Sequence, residues 1–80
     1  MQSRPLFVRA EWDEEARVWV ATSDDVPGLA TEERSIELLI EKLKVMIPEL
    51  LALNQGSAPQ HHTEFEMLSR RFETLELATV

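Results

Sequence analysis

Ser35 to Asn54 reads SIELLIEKLKVMIPELLALN, and the spacing inside it decides the architecture. Ile36, Leu39, Ile40, Leu43, Ile47 and Leu50 recur at intervals of three and four, the period of a helix with one apolar face. Ser35 suits the cap, since its hydroxyl accepts from the free N–H groups of a first turn, and Glu37 suits the positive end of the dipole. Pro48 removes one intrahelical hydrogen bond and crowds the carbonyl of Lys44, which predicts a kink, or an end and a restart with Pro48 in a first turn. Asn54-Gln55-Gly56 supplies a stop, with Gly56 free to take the left-handed conformation. At about 1.5–3 kcal/mol for each large aliphatic side chain buried, the stripe is of the right order to offset much of the ordering entropy.

The surface such a helix covers lies upstream. Leu6, Val8, Ala10 and Trp12 alternate with Phe7, Arg9 and Glu11, the period of a half-buried strand over about Leu6 to Trp12. After the polar break Asp13-Glu14-Glu15-Ala16, Val18, Val20 and Thr22 alternate with Arg17, Trp19 and Ala21, so the two runs form a hairpin. Ser23 to Gly28, SDDVPG, is a turn by composition: an Asp pair, a Pro that fixes φ and a Gly that tolerates positive φ. Leu29-Ala30-Thr31 has room for a short third strand along the hairpin edge.

Downstream the pattern is weaker. Ser57 to His62, SAPQHH, reads as a polar linker. Thr63 to Met67 alternates like a strand, while Phe65, Leu68, Phe72 and Leu75 are also spaced as on a helix; a strand over Thr63 to Leu68 is the choice here, because the sheet needs a further strand under its helix. Phe72 to Leu77 adds another strand or frays. Leu38, Val45, Met46, Leu51 and Leu53 lie off the main stripe, and either the C-terminal segment folds back over them or a second copy covers them. The expected whole is a single α+β domain over residues 1–80, β-β-β-α-β, with an ordered core at about 5–54 and 63–77 and a linker at about 55–62.

The chain has 80 residues, 44% of them hydrophobic and 29% charged, which places it among folded chains and at the low end of what one core stabilises. With no cysteine, neither disulfides nor a thiolate metal site can assist. A net charge of −7 disfavours direct nucleic-acid binding, which needs clustered Lys and Arg, and points towards a basic partner, although it also simply keeps a protein soluble. From Glu11 to Glu33 the acids Glu11, Asp13, Glu14, Glu15, Asp24, Asp25, Glu32 and Glu33 are met only by Arg17. No apolar run has the length of a signal or a membrane span, so a cytoplasmic protein is expected.

Chemistry-bearing patterns are few. His61 and His62 diverge on an extended chain and have no third ligand for zinc. Asp13, Glu14, Asp24 and Asp25 can pair as acid and base on paper, but turns carry Asp for backbone bonding. With no Gly-rich phosphate loop and no nucleophile elbow, the expectation is no enzyme, no cofactor and no metal. Trp12 shares the parity of the core residues. Trp19 shares that of Arg17, and an aromatic on a polar sheet face is either an interface anchor or packed on Phe7 or the tail. A homodimer is expected from the open sheet edges and the surplus helical leucines.

Taken in order, FVRAEWDEEARVWVATSDDVPGLATE (7–32) and SIELLIEKLKVMIPELLALN (35–54), with KVMIPELL as the most specific phrase and a weaker echo in EFEMLSRR (64–71), resemble the small HicB-like antitoxin fold and, within it, the short DUF1902 family. The resemblance implies three strands, a helix and a further strand in a partial ribonuclease H-like arrangement. It also implies an antitoxin that binds and blocks a small basic HicA-like mRNA-cleaving toxin. Many HicB-type proteins carry a C-terminal DNA-binding domain, for which too few residues remain here. Trp19, Asp24, Asp25, Leu29 and Thr31, at the acidic turn and the edge of the third strand, are the expected contact residues.

Overall fold

The computed structural model describes residues 4–55 and 63–78. Five elements follow in the order β1 Leu6–Asp13, β2 Val18–Thr22, β3 Ala30–Glu33, α1 Ile36–Gln55 and β4 Phe65–Arg70. They form one four-stranded sheet in the order β3-β2-β1-β4. β1 and β2 pair antiparallel, as do β2 and β3, whereas β4 runs parallel to β1. Two parallel strands require a long connection between them, and α1 supplies it. The expected β-β-β-α-β order is therefore present, with a mixed sheet and with β1 at its interior.

The hairpin register pairs Asp13 with Val18, Trp12 with Trp19 and Ala10 with Ala21. Directly opposed residues share a face, so Leu6, Val8, Ala10 and Trp12 point the same way as Trp19 and Ala21. This corrects the assignment of Trp19 to the polar face: it packs against the core beneath α1. Arg17 sits in the turn with φ of 60°, outside the ladder, so its polarity says nothing about the strand that follows. Val18 and Val20 take the opposite face with Arg9, Glu11 and Asp13. Trp12 is half-buried and lies outside the buried core, its ring edge-on to Trp19 at 5.4 Å between centroids.

Leu39, Leu43, Ile47 and Leu51 of α1 are buried against Val8, Ala10 and Ala21 of the sheet, with Ile36, Met46 and Leu50 packed at the margin. Facing alanines at the sheet centre allow the helix to approach closely. The turn also contributes, since Val26 and Leu29 are buried and the Asn54 amide donates to the carbonyl of Pro27 at 3.0 Å. Gly28 adopts φ of 87°, the left-handed region that glycine occupies without strain.

Ser35 caps α1, its Oγ accepting from Leu38 N at 3.1 Å while its carbonyl accepts from Leu39 N at 3.0 Å. Pro48 neither ends nor restarts the helix, which is continuous through it. Pro48 and Lys44 are both exposed, so the carbonyl that loses its partner is open to water. The expected stop at Gly56 and the linker at Ser57 to His62 lie outside the described residues.

The expected fold-back of the C-terminal segment is not what the structure shows. Leu51 is buried in the core and Met46 packs at its margin, as do Phe65 and Met67 of β4, while Leu38, Val45 and Leu53 are exposed. Residues 71–78 form neither helix nor strand and leave Phe72, Leu75 and Leu77 76–82% exposed.

Candidate functional site

The hairpin end of the sheet is where charge and aromatic surface meet. Asp13 closes the turn: its Oδ1 accepts from Glu15 N at 3.0 Å and Ala16 N at 3.1 Å, and its carbonyl accepts from Arg17 N at 2.7 Å. That geometry turns Glu14 and Glu15 outward. Glu14 Oε1 accepts from the Trp12 indole N–H at 2.9 Å, and the Arg17 guanidinium pairs with its other oxygen. The Trp12 bond, helped by the charges of Arg17 and Arg71, holds the Glu14 carboxyl below its ordinary value against a smaller desolvation effect. Glu14 is accordingly an anion at neutral pH and a poor general acid.

Because β4 runs parallel to β1, it brings Arg70 beside Glu11 and carries the chain on past the turn. Arg71 lies 4.2 Å and Arg17 5.5 Å from the Trp12 ring centroid, and Arg70 lies 4.7 Å from that of Phe72. The result is an open cleft of about 620 Å³ lined by Glu11, Trp12, Asp13, Glu14, Glu15, Val20, Arg70 and Phe72. Four carboxylates outnumber the three cations at the site, Arg70 in its lining and Arg17 and Arg71 over the Trp12 ring, and the indole and phenyl rings give it apolar walls. An arrangement of this kind suits cationic side chains with aliphatic stems, such as Lys and Arg.

The residues expected to make contacts fall in several places. Asp25 is already engaged: Arg4 donates to both its oxygens at 2.7 Å and Phe7 N donates to Oδ2 at 2.8 Å. Those bonds, the Arg4 pair foremost, hold its carboxyl far below the usual range. Ser23 completes the clasp, its hydroxyl donating to the Phe7 carbonyl and accepting from Asp25 N. Asp25 therefore pins the turn to the start of β1. Asp24 is exposed and pairs with Arg9 at 3.3 Å. Leu29 is buried, Thr31 is half-buried on β3, and Trp19 is half-buried on the helix side. These five do not form one exposed surface.

Glu11, Asp13, Glu14 and Glu15 stand out in the sequence as an acidic run. Arg70 and Phe72 carry no such signal, since only the parallel pairing of β4 brings them to the turn. Among the described residues no group of three or more His, Asp or Glu side chains is placed to hold a metal ion, and no helix is long and apolar enough to cross a membrane.

Fold and cleft together define a small β-β-β-α-β domain with a carboxylate-lined, aromatic-walled cleft at its hairpin end. The chain belongs to the DUF1902 family, a domain of unknown function whose family model matches residues 5–77. It is similar to the crystal structure of hypothetical protein TTHA1013 from the extremely thermophilic bacterium Thermus thermophilus. The two are 46% identical with a TM-score of 0.64, over 92% of this chain and 100% of that one. No curated protein matches the chain.

Proposed function

We propose that this chain is a non-enzymatic, cytoplasmic protein-binding module of the HicB-like antitoxin type, which docks on a small basic HicA-like mRNA-cleaving toxin and covers its RNA-binding surface. The observation that carries the reading is the cleft, where Glu11, Asp13, Glu14 and Glu15 surround Trp12 and Phe72. Charge of one sign on a concave site speeds encounter with a partner of the other sign, and aromatic anchors supply much of the affinity once contact is made. An RNA-cleaving partner has such a basic surface, because it must hold phosphates. The identity of that partner comes from the HicB-like resemblance.

The test is a pull-down from the source cell with the wild-type chain and with a Glu14→Lys/Glu15→Lys variant, at low and at moderate salt. The expected result is a small basic ribonuclease captured by the wild type and lost with the variant. Capture of no small basic protein at either salt overturns the reading. A second reading, a homodimeric domain without a toxin partner, is favoured by the exposed apolar residues Phe72, Leu75 and Leu77.

A further inference from the structure

Residues 71–78 continue from the end of β4; Arg71 and Phe72 belong to the hairpin-end site, and beyond them Leu75 and Leu77 stand exposed on a segment with the character of an arm.

We propose that this arm is a dimerisation strand, which in a second copy of the chain pairs antiparallel along the open edge of β4, so that two sheets join through two exchanged arms. Among the described residues β4 pairs only with β1 and is the last strand of the sheet, so its other edge presents backbone groups for pairing. Eight extended residues span about 26 Å, enough to run the whole length of six-residue β4 at about 20 Å. Phe65 and Met67 of β4 pack towards the core. The two-residue period of an extended chain gives Leu75 and Leu77 that same parity, so paired across the two-fold they meet the partner's core margin at Phe65, Met67, Met46 and Leu50.

Charge selects this edge over the other. β3 carries Glu32 and Glu33, and Lys42 of α1 reaches across it to the Glu33 carboxylate and the Glu32 carbonyl, so that edge is charged and partly capped. β4 carries Glu66 balanced by Arg70, and the arm carries Arg71 with Glu73 and Glu76. The proposal does not rest on the toxin reading, and Leu75 and Leu77 lie outside the cleft residues.

The experiment is analytical sedimentation of the full chain from low to high micromolar concentration, with hydrogen exchange at the upper end. The wild type should sediment as a dimer with the amides of residues 74–77 protected. Leu75→Glu/Leu77→Glu should weaken the dimer by about a hundredfold while keeping the helix signal, since those side chains touch no core of their own copy and a carboxylate is costly to bury in the partner. Leu75→Ala/Leu77→Ala, which adds no charge, should weaken it in the same direction. Val45→Glu, on the exposed side of α1, should leave it intact. A monomer at every concentration, a dimer indifferent to both arm variants, or one split by Val45→Glu and so held by helices, would overturn the proposal.

Discussion

Replacing Leu43 by alanine tests the core at its most enclosed point. Leu43 is fully buried in α1, and Leu39 and Ile47 are buried one turn to either side. Truncation loses the transfer energy of the removed carbons and leaves a cavity that facing strands cannot close, at a cost of about 2–5 kcal/mol. An 80-residue domain holds roughly 4–12 kcal/mol in all. Unfolding a chain of this length carries an entropy of about 0.17 kcal/mol/K, so each kcal/mol moves Tm by about 6 °C. Leu43→Ala should therefore melt about 12–30 °C below the wild type, measured by circular dichroism at one fixed protein concentration because any association adds its own stability. Val45→Ala, two residues on and 61% exposed, provides the internal comparison and should shift Tm by no more than about 3 °C. Equal shifts for the two variants would refute the placement of the helix on the sheet.

Other perturbations read other parts of the fold. Ala21→Leu forces a larger side chain into the fully buried site opposite Ala10 and should cost about 1–3 kcal/mol, seen as a lower denaturant midpoint. Ser35→Ala removes the N-cap and should cost about 1 kcal/mol, or about 6 °C in Tm. The folded Asp25 carboxyl ionises at lower pH than the unfolded one, so the unfolded chain takes up the proton first. Its contribution is complete above about pH 5 and decays as pH falls below that; Asp25→Asn should lower Tm at neutral pH and flatten the acid limb of a Tm-against-pH curve. An unchanged acid limb would show that Asp25 does not clasp Arg4 and Phe7.

Much of the fold was legible because the local signals were strong. Ser35 before a three-and-four leucine pattern located the helix, and alternation located β1, β2 and the segment of β4. What failed depended on register and distance. Counting parity from Arg17 misplaced Trp19, because Arg17 belongs to a four-residue turn and the ladder closes instead on Asp13 and Val18. Hydropathy ranks Val20 above Ala21, yet the alanine is buried, since closeness to α1 rather than apolar character decides that position. Pro48 read as a break is tolerated because it faces water. The cleft was half legible: its acids form one run in sequence, but Arg70 and Phe72 arrive from β4 across a parallel pairing that no short-range pattern encodes.

The central claim is that an acidic cleft docks on a basic ribonuclease and blocks it. Its most direct test is cleavage of a messenger RNA by the HicA-like nuclease of the same source cell, titrated with the purified chain. Cleavage should fall to background near one equivalent of wild type, and Glu14→Lys/Glu15→Lys should require at least about tenfold more, with the gap narrowing as salt rises. Cleavage that continues undiminished in a large excess of folded wild-type chain, or a source cell with no such nuclease, would contradict it.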